Sequence, residues 1–106
     1  MNKQSIVFDT LVYDFGQIVK GANAECVFLF HNKGSAPLIL TNVKASCGCT
    51  VPTWTKEPVL PNNSGTVKVK YNTNAVGAFH KTITVYTNDN NSSVTLTIKG
   101  EVKKKS

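Results

Sequence analysis

The chain predicts an all-β fold of two packed sheets, and three observations carry that prediction. Apolar residues recur with a period of two along most of the chain, while the helical period of about 3.6 is almost nowhere present. Clusters of Gly, Pro, Asn and Ser interrupt the apolar runs at roughly ten-residue spacing. The 106 residues, 41% of them hydrophobic, suffice for one core and leave no room for a second. About seven short strands at that spacing match an immunoglobulin-like β-sandwich in a single domain spanning residues 1–106.

Each element follows from local pattern. Ile6 and Phe8 begin a first strand, followed by the run from Val12 to Ile18. Lys20-Gly21-Ala22-Asn23 is a turn. Cys26, Phe28 and Phe30 then alternate with Glu25, Val27, Leu29 and His31. The charged set faces water, so Cys26 points into the core beside two phenylalanines. Asn32 to Pro37 is a turn, and Leu38 to Ala45 is the next strand. The stretch from Ser46 to Ser64 holds Pro52, Pro58 and Pro61 with Asn62-Asn63, and reads as mostly irregular. Val67, Val69 and Tyr71 alternate with Lys68 and Lys70 in a half-exposed strand. Phe79, Ile83 and Val85 mark another strand, and Val94, Leu96, Ile98 and Val102 the last.

The antibody-type bridge is absent from the pattern. Cys26 occupies the place of the first cysteine, on strand B, but the F-like strand offers Ile83 and Val85. The sandwich is therefore expected to close by hydrophobic packing, without a B–F disulfide.

Composition narrows the function classes. The net charge is +6 and all 12 basic residues are Lys. The absence of Arg argues against sequence-specific nucleic-acid recognition, which relies on the bidentate guanidinium. Lys103, Lys104 and Lys105 open a basic tail, 103–106, that reads as solvated. No apolar run reaches the roughly 20 residues of a membrane helix, so membrane insertion is not expected. The first residues lack the apolar stretch of a signal peptide, which leaves cytosolic residence and a removed export signal both open. Three cysteines are too few for a disulfide scaffold, and their odd number leaves one unpaired.

Ser46-Cys47-Gly48-Cys49-Thr50-Val51-Pro52 is the stretch that strand building does not explain. Two thiols around a glycine can serve redox chemistry, hold a soft metal such as Cu(I), or pack a tight turn. The simplest reading is packing. His31 is excluded as a third ligand, because the strand register sets it roughly 30 Å from Cys47 at about 3.3 Å per residue. His80 remains the candidate, at the same end as Cys47 and Cys49. His31 itself reads as an exposed histidine without a partner. Cys26 is offset from Cys47 by about 13 Å along the strands, too far to bridge to it.

Elsewhere the acidic residues are spread singly, with no acid/base pair set by local spacing and no nucleophile or phosphate-loop motif. Trp54 and Phe79 are candidate partner contacts, although aromatic residues in such places more often cap a core. The loops Lys33–Ala36 and Asn88–Ser93 are expected to share the opposite end and to offer a second recognition surface.

The chain resembles one family. Asp14-Phe15-Gly16 with Ile18, Phe28 before Asn32 and Gly34, Pro37-Leu38, Ser46-Cys47-Gly48-Cys49-Thr50, and Gly77-x-Phe79 before Ile83-x-Val85-x-Thr87-Asn88 are similar to the bacterial domain of unknown function fifteen seventy-three, common in Bacteroidetes. The resemblance covers nearly the whole chain. It implies an Ig-like sandwich related to Hydin-type and motile-sperm-protein-type domains. It also implies an exported, cell-envelope setting with an export or lipoprotein signal upstream of this sequence, and carries no established activity.

Together these readings point to a non-enzymatic interaction module of a bacterial cell-envelope or periplasmic protein, with no cofactor and no metal. Its partner would be another protein or a surface glycan, and it would be a monomer or a weak dimer through the edge formed by Ser5 to Asp9, where the charges of Lys3 and Asp9 discourage edge-to-edge association. The alternative is a thiol redox or copper-handling domain built on Cys47 and Cys49.

Overall fold

The computed structural model describes residues 5–89 and 93–105. Among them eight strands form two four-stranded sheets. The first sheet orders β1 (Ile6–Phe8), β3 (Ala24–Asn32), β6 (Ser64–Tyr71) and β5 (Thr50–Trp54). The second orders β2 (Val12–Val19), β8 (Ser93–Lys103), β7 (Gly77–Thr87) and β4 (Leu40–Ala45). Every pairing is antiparallel except β2 with β8, which is parallel. With β1 and β2 as a split first strand, this is the A-B-E-D and G-F-C arrangement of immunoglobulin-like sandwiches.

Alternation decides the core. On β3, Ala24, Cys26, Phe28 and Phe30 are buried while Glu25, Val27 and Leu29 are exposed, as the sequence predicts. They meet Val67, Val69 and Tyr71 of β6, and pack across the sandwich on Ile83 and Val85 of β7 and Leu96 and Ile98 of β8. No bridge links β3 to β7: Cys26 is free, and its β7 counterparts are Ile83 and Val85. Two glycines are required, one by packing and one by its backbone conformation. A Cβ on Gly65 would lie 2.5 Å from Phe30 Cζ, so only glycine lets β6 pass the ring. Gly16 has φ +66°, sits where β2 shifts register between Asp14 and Gln17, and donates its N–H to Asp14 Oδ1 at 2.8 Å.

Four expectations need correction. The region from Ser46 to Ser64 is not mostly irregular, because Thr50–Trp54 forms β5. Pro52 is compatible with that strand for a geometric reason. The Asn72 N–H to Cys49 carbonyl and Thr55 N–H to Thr66 carbonyl bonds set the odd-numbered residues toward β6, so the Pro52 nitrogen faces the open edge. The first strand divides between the two sheets, giving eight strands where about seven were expected. The strand expected from Leu38 begins at Leu40, with Leu38 making a single bridge to Val59. Finally, β8 continues through Lys103, whose Nζ is 3.3 Å from Glu101 Oε2, so the expected tail starts one residue late. Ser106, at its end, lies outside the described residues.

The two ends of the sandwich differ. At one end Asn32 is fully buried and satisfied: its Nδ2 donates to the carbonyls of Ala36 and Val59, and its Oδ1 accepts from Gly34 N–H. Asn88 accepts from Ile39 N–H through its Oδ1, and Asp89 accepts from the Ser5 N–H and hydroxyl. The loops Lys33–Ala36 and Asn88–Ser93 therefore do share this end, although residues 90–92 lie outside the described set. The Cys47–Cys49 segment occupies the other end.

Candidate functional site

The segment leaving β4 turns at once. Ser46 N–H donates to the Thr82 carbonyl at 2.9 Å, and Thr50 N–H reaches back to the Cys47 carbonyl at 3.4 Å, closing a turn with Gly48 and Cys49 at its centre. Within it Cys47 and Cys49 form a disulfide, their Cα atoms 5.4 Å apart. The chain then enters β5, with Thr50 level with Tyr71 of β6 and Ala24 of β3.

The bridge joins residues two apart in sequence. A loop so short restricts the unfolded chain little, on the order of 1–2 kcal/mol against about 3 for a 15-residue loop. A sandwich with this core does not depend on it. Both cysteines are partly exposed, unlike Cys26. Burial pushes the Cys26 thiol up from 9.0 to about 11, which leaves it neutral and inert at ordinary pH.

Beside the bridge lies an open cleft of about 530 Å³. Three separate connections line it: Gly21 and Ala22 from the β2–β3 turn, Gly48 and Cys49, and Asn72 to Asn74 after β6. Val51, Lys70 and Tyr71 complete its wall. The connections are tied together, because Thr73 Oγ1 donates to the Ala22 carbonyl at 2.8 Å and accepts from Gly21 N–H at 3.1 Å. Thr50, only 4% exposed, sets its hydroxyl 3.7 Å from Cys47 Sγ and 4.0 Å from Cys49 Sγ. The sequence alone assigns Thr50 no role. Its place directly after the cysteine pair was the available signal, but the cleft arises from turns far apart in the chain.

The other candidates separate. His80 is exposed on β7 opposite Lys99, and among the described residues no three His, Cys, Asp or Glu side chains are grouped to hold a metal. It does not complete a site with Cys47 and Cys49, because β7 turns its side chain to the outer face. Phe79 is 7% exposed, stacked on Tyr71 at 3.9 Å between centroids and tilted against Phe15. It closes this end of the core and has no surface to offer a partner. Trp54 is half-buried against the core, with Lys56 Nζ 3.2 Å above its ring.

His31 corrects another expectation, since it has two partners. Its Nε2 lies 2.7 Å from Asp9 Oδ1 and its Nδ1 2.9 Å from Ser64 Oγ. A neutral ring protonated on Nε2 satisfies both contacts, donating to Asp9 and accepting from Ser64. The order Ser-His-Asp is that of a hydrolytic triad, but the group stands open on the outer face of the first sheet, with Asp9 55% and His31 30% exposed. A hydroxyl there stands in solvent and competes with water. The contacts link β1 to β3 and β6 at the sheet edge. Ser64 is level with His31 at one end of the β3–β6 ladder, and Tyr71 with Ala24 at the other, which keeps His31 away from the disulfide as the register predicts.

Among the described residues no helix is long and apolar enough to cross a membrane. Comparison with solved structures shows the fold. The ASH/PapD-like domain 7 of human CEP192 superposes with a TM-score of 0.81 at 8% identity, covering 100% of this chain and 92% of that one. A protein of unknown function from Porphyromonas gingivalis W83 gives 0.79 at 17% identity, covering 91% of this chain. This chain spans 46% of that protein's length. The Vibrio cholerae VesB protease gives 0.70 at 14% identity, with 93% of this chain matched to 32% of the protease. At such identities the likeness is one of fold, an Ig-like and PapD-like sandwich. No curated protein matches the sequence. The family described as "Protein of unknown function (DUF1573)" matches residues 6–102, and with nearly every strand inside that match the chain belongs to this family.

Proposed function

We propose that this chain is a non-enzymatic interaction module of an exported bacterial envelope protein, holding an extended segment of a partner protein at the free edge of β2. The observation that carries the reading is that edge. Val12, Tyr13 and Val19 on β2 and Leu11 just before it are each 39–48% exposed, four large apolar side chains along one sheet edge. An edge strand presents unpaired backbone donors and acceptors, and exposed apolar side chains along it supply the pockets and anchors of strand addition. The disulfide supports an oxidising compartment outside the cytoplasm. A surface glycan is the other class of partner.

The test places a photo-crosslinking residue at Tyr13, and separately at Thr95 on the outer face of β8, in the full-length protein in its native cells. Adducts to one polypeptide from position 13 and none from 95 support the reading. Equal adducts from both, adducts only to glycan, or recovery of the protein in the cytoplasm overturn it.

A second reading rests on a different observation: the Cys47–Cys49 disulfide stands beside an open cleft and contributes little as a staple. In this reading the end of the domain that carries the bridge serves as a thiol–disulfide exchange site. Its test is reduction of the pair by millimolar dithiothreitol under native conditions, read by alkylation and mass. A pair that stays closed contradicts it.

A further inference from the structure

We propose that exchange at this bridge is directional: an incoming thiolate attacks Cys49 from the cleft, and the Thr50 hydroxyl stabilises Cys47 as the leaving thiolate. The inference rests on the exchange reading just given and assigns the roles within it. Its substrate class is a dithiol, carried on a protein segment narrow enough to enter the cleft.

Three observations place the roles. Cys49 lines the cleft together with Gly48, whereas Cys47 is not among the lining residues, so a thiolate held in the cleft has Cys49 beside it. Thr50 is 4% exposed, and its hydroxyl contacts both sulfurs, lying nearer to Cys47 at 3.7 Å than to Cys49 at 4.0 Å. A disulfide sulfur carries no proton, so in the closed form the hydroxyl is the donor, and it donates to a weak acceptor. When the bridge opens, a thiolate replaces that acceptor. A hydrogen bond to a charged group is stronger than one to a neutral sulfur, so a buried hydroxyl in this position favours the open form over the closed one. A lower leaving-group pKa also speeds departure.

The step balances as follows. The incoming thiolate forms a bond to Cys49 Sγ, the Cys47–Cys49 bond breaks, and its electron pair leaves on Cys47 Sγ. The Cys47 thiolate accepts the Thr50 hydrogen bond and then a proton from water. The second thiolate of the dithiol attacks its own partner sulfur in the mixed disulfide and expels Cys49 as thiolate, which is protonated in turn. The dithiol is oxidised to a disulfide by two electrons, and Cys47 and Cys49 are reduced to two thiols. Its two protons end on them through solvent. Run in reverse, the same steps oxidise the pair.

The experiment uses the unaltered protein first. Brief exposure to glutathione, acid quenching and peptide mass mapping locate the mixed disulfide. The glutathione adduct is expected on Cys49, with Cys47 alkylatable; an adduct chiefly on Cys47 overturns the assignment. The second arm compares Thr50→Val, which keeps the shape and removes the hydroxyl, with Thr50→Ser, which keeps the hydroxyl. Reduction by dithiothreitol is expected to slow about ten-fold in Thr50→Val and to stay within about three-fold of wild type in Thr50→Ser. In the reduced protein the thiolate absorbance of Thr50→Val should rise at higher pH than in wild type, a change that a packing role alone would not produce. Reduction of Thr50→Val at the wild-type rate, with unchanged thiolate titration, refutes the role of Thr50. Failure of wild type to be reduced at all refutes the exchange reading itself, so the two failures are told apart.

Discussion

Cys26 shows how one buried side chain couples to pH. Its folded pKa, about 11, is raised above the ordinary 9.0 by desolvation. The folded state therefore favours the neutral thiol, a contribution present in full below pH 9 and lost as pH rises toward about 11. Cys26→Ala should cost stability at about pH 8 through the cavity it leaves. That deficit should shrink at about pH 10.5, where only wild type carries the penalty of the buried thiol. Urea denaturation of both proteins at the two pH values checks this, and a pH-independent gap contradicts it. Iodoacetamide on the native, reduced protein should label Cys47 or Cys49 well before Cys26. Gly65 makes a steric prediction at the same scale. Gly65→Ala sets a methyl group 2.5 Å from the Phe30 ring and should destabilise the fold by about 1–3 kcal/mol.

At the scale of elements, β5 and β2 show how edges are managed. The Pro52 nitrogen faces the open side of β5, where a donor would otherwise be free to pair with another chain. Pro52→Val should leave the melting temperature within a few degrees but promote self-association, visible as a concentration-dependent sedimentation coefficient. An unchanged monomer at high concentration would remove this protective role from Pro52. The same residue explains why β5 is not legible in the sequence. Proline argues against a central strand, and that argument does not apply at an edge whose position only the sheet order reveals. β3 and β6 were legible because each has one wet face and one dry face, so their alternation is strict. β2, exposed along most of its length, has no such contrast, and its separation from β1 into the other sheet left no periodic mark.

For the whole molecule, the edges set the expected oligomeric state. β1 is three residues long and is followed by Asp9, and β5 carries Pro52. Lys3, invoked with Asp9 as a charge on the N-terminal edge, lies outside the described residues. Short, charged or proline-bearing edges discourage symmetric sheet extension. The protein should sediment as a monomer, or as a weak dimer through β1, at tens of micromolar. A stable tetramer at micromolar concentration would contradict this.

The amino-acid sequence by itself determined the fold class, the inward set on β3, β6, β7 and β8, the absence of an inter-sheet bridge, and the separation of His31 from Cys47. Each follows from a period of two and a rise per residue, which are properties of the chain alone. Tertiary structure decided the rest. Phe79 was a candidate contact until Tyr71 stacked on it, and His31 gained Asp9 and Ser64 from two other strands. His80 was a candidate ligand until β7 turned it outward. The cleft beside Cys49 exists only where three connections from distant parts of the chain meet. Local sequence says which face a side chain takes. What lies opposite that face depends on how the two sheets are ordered and stacked, and no single strand carries that information.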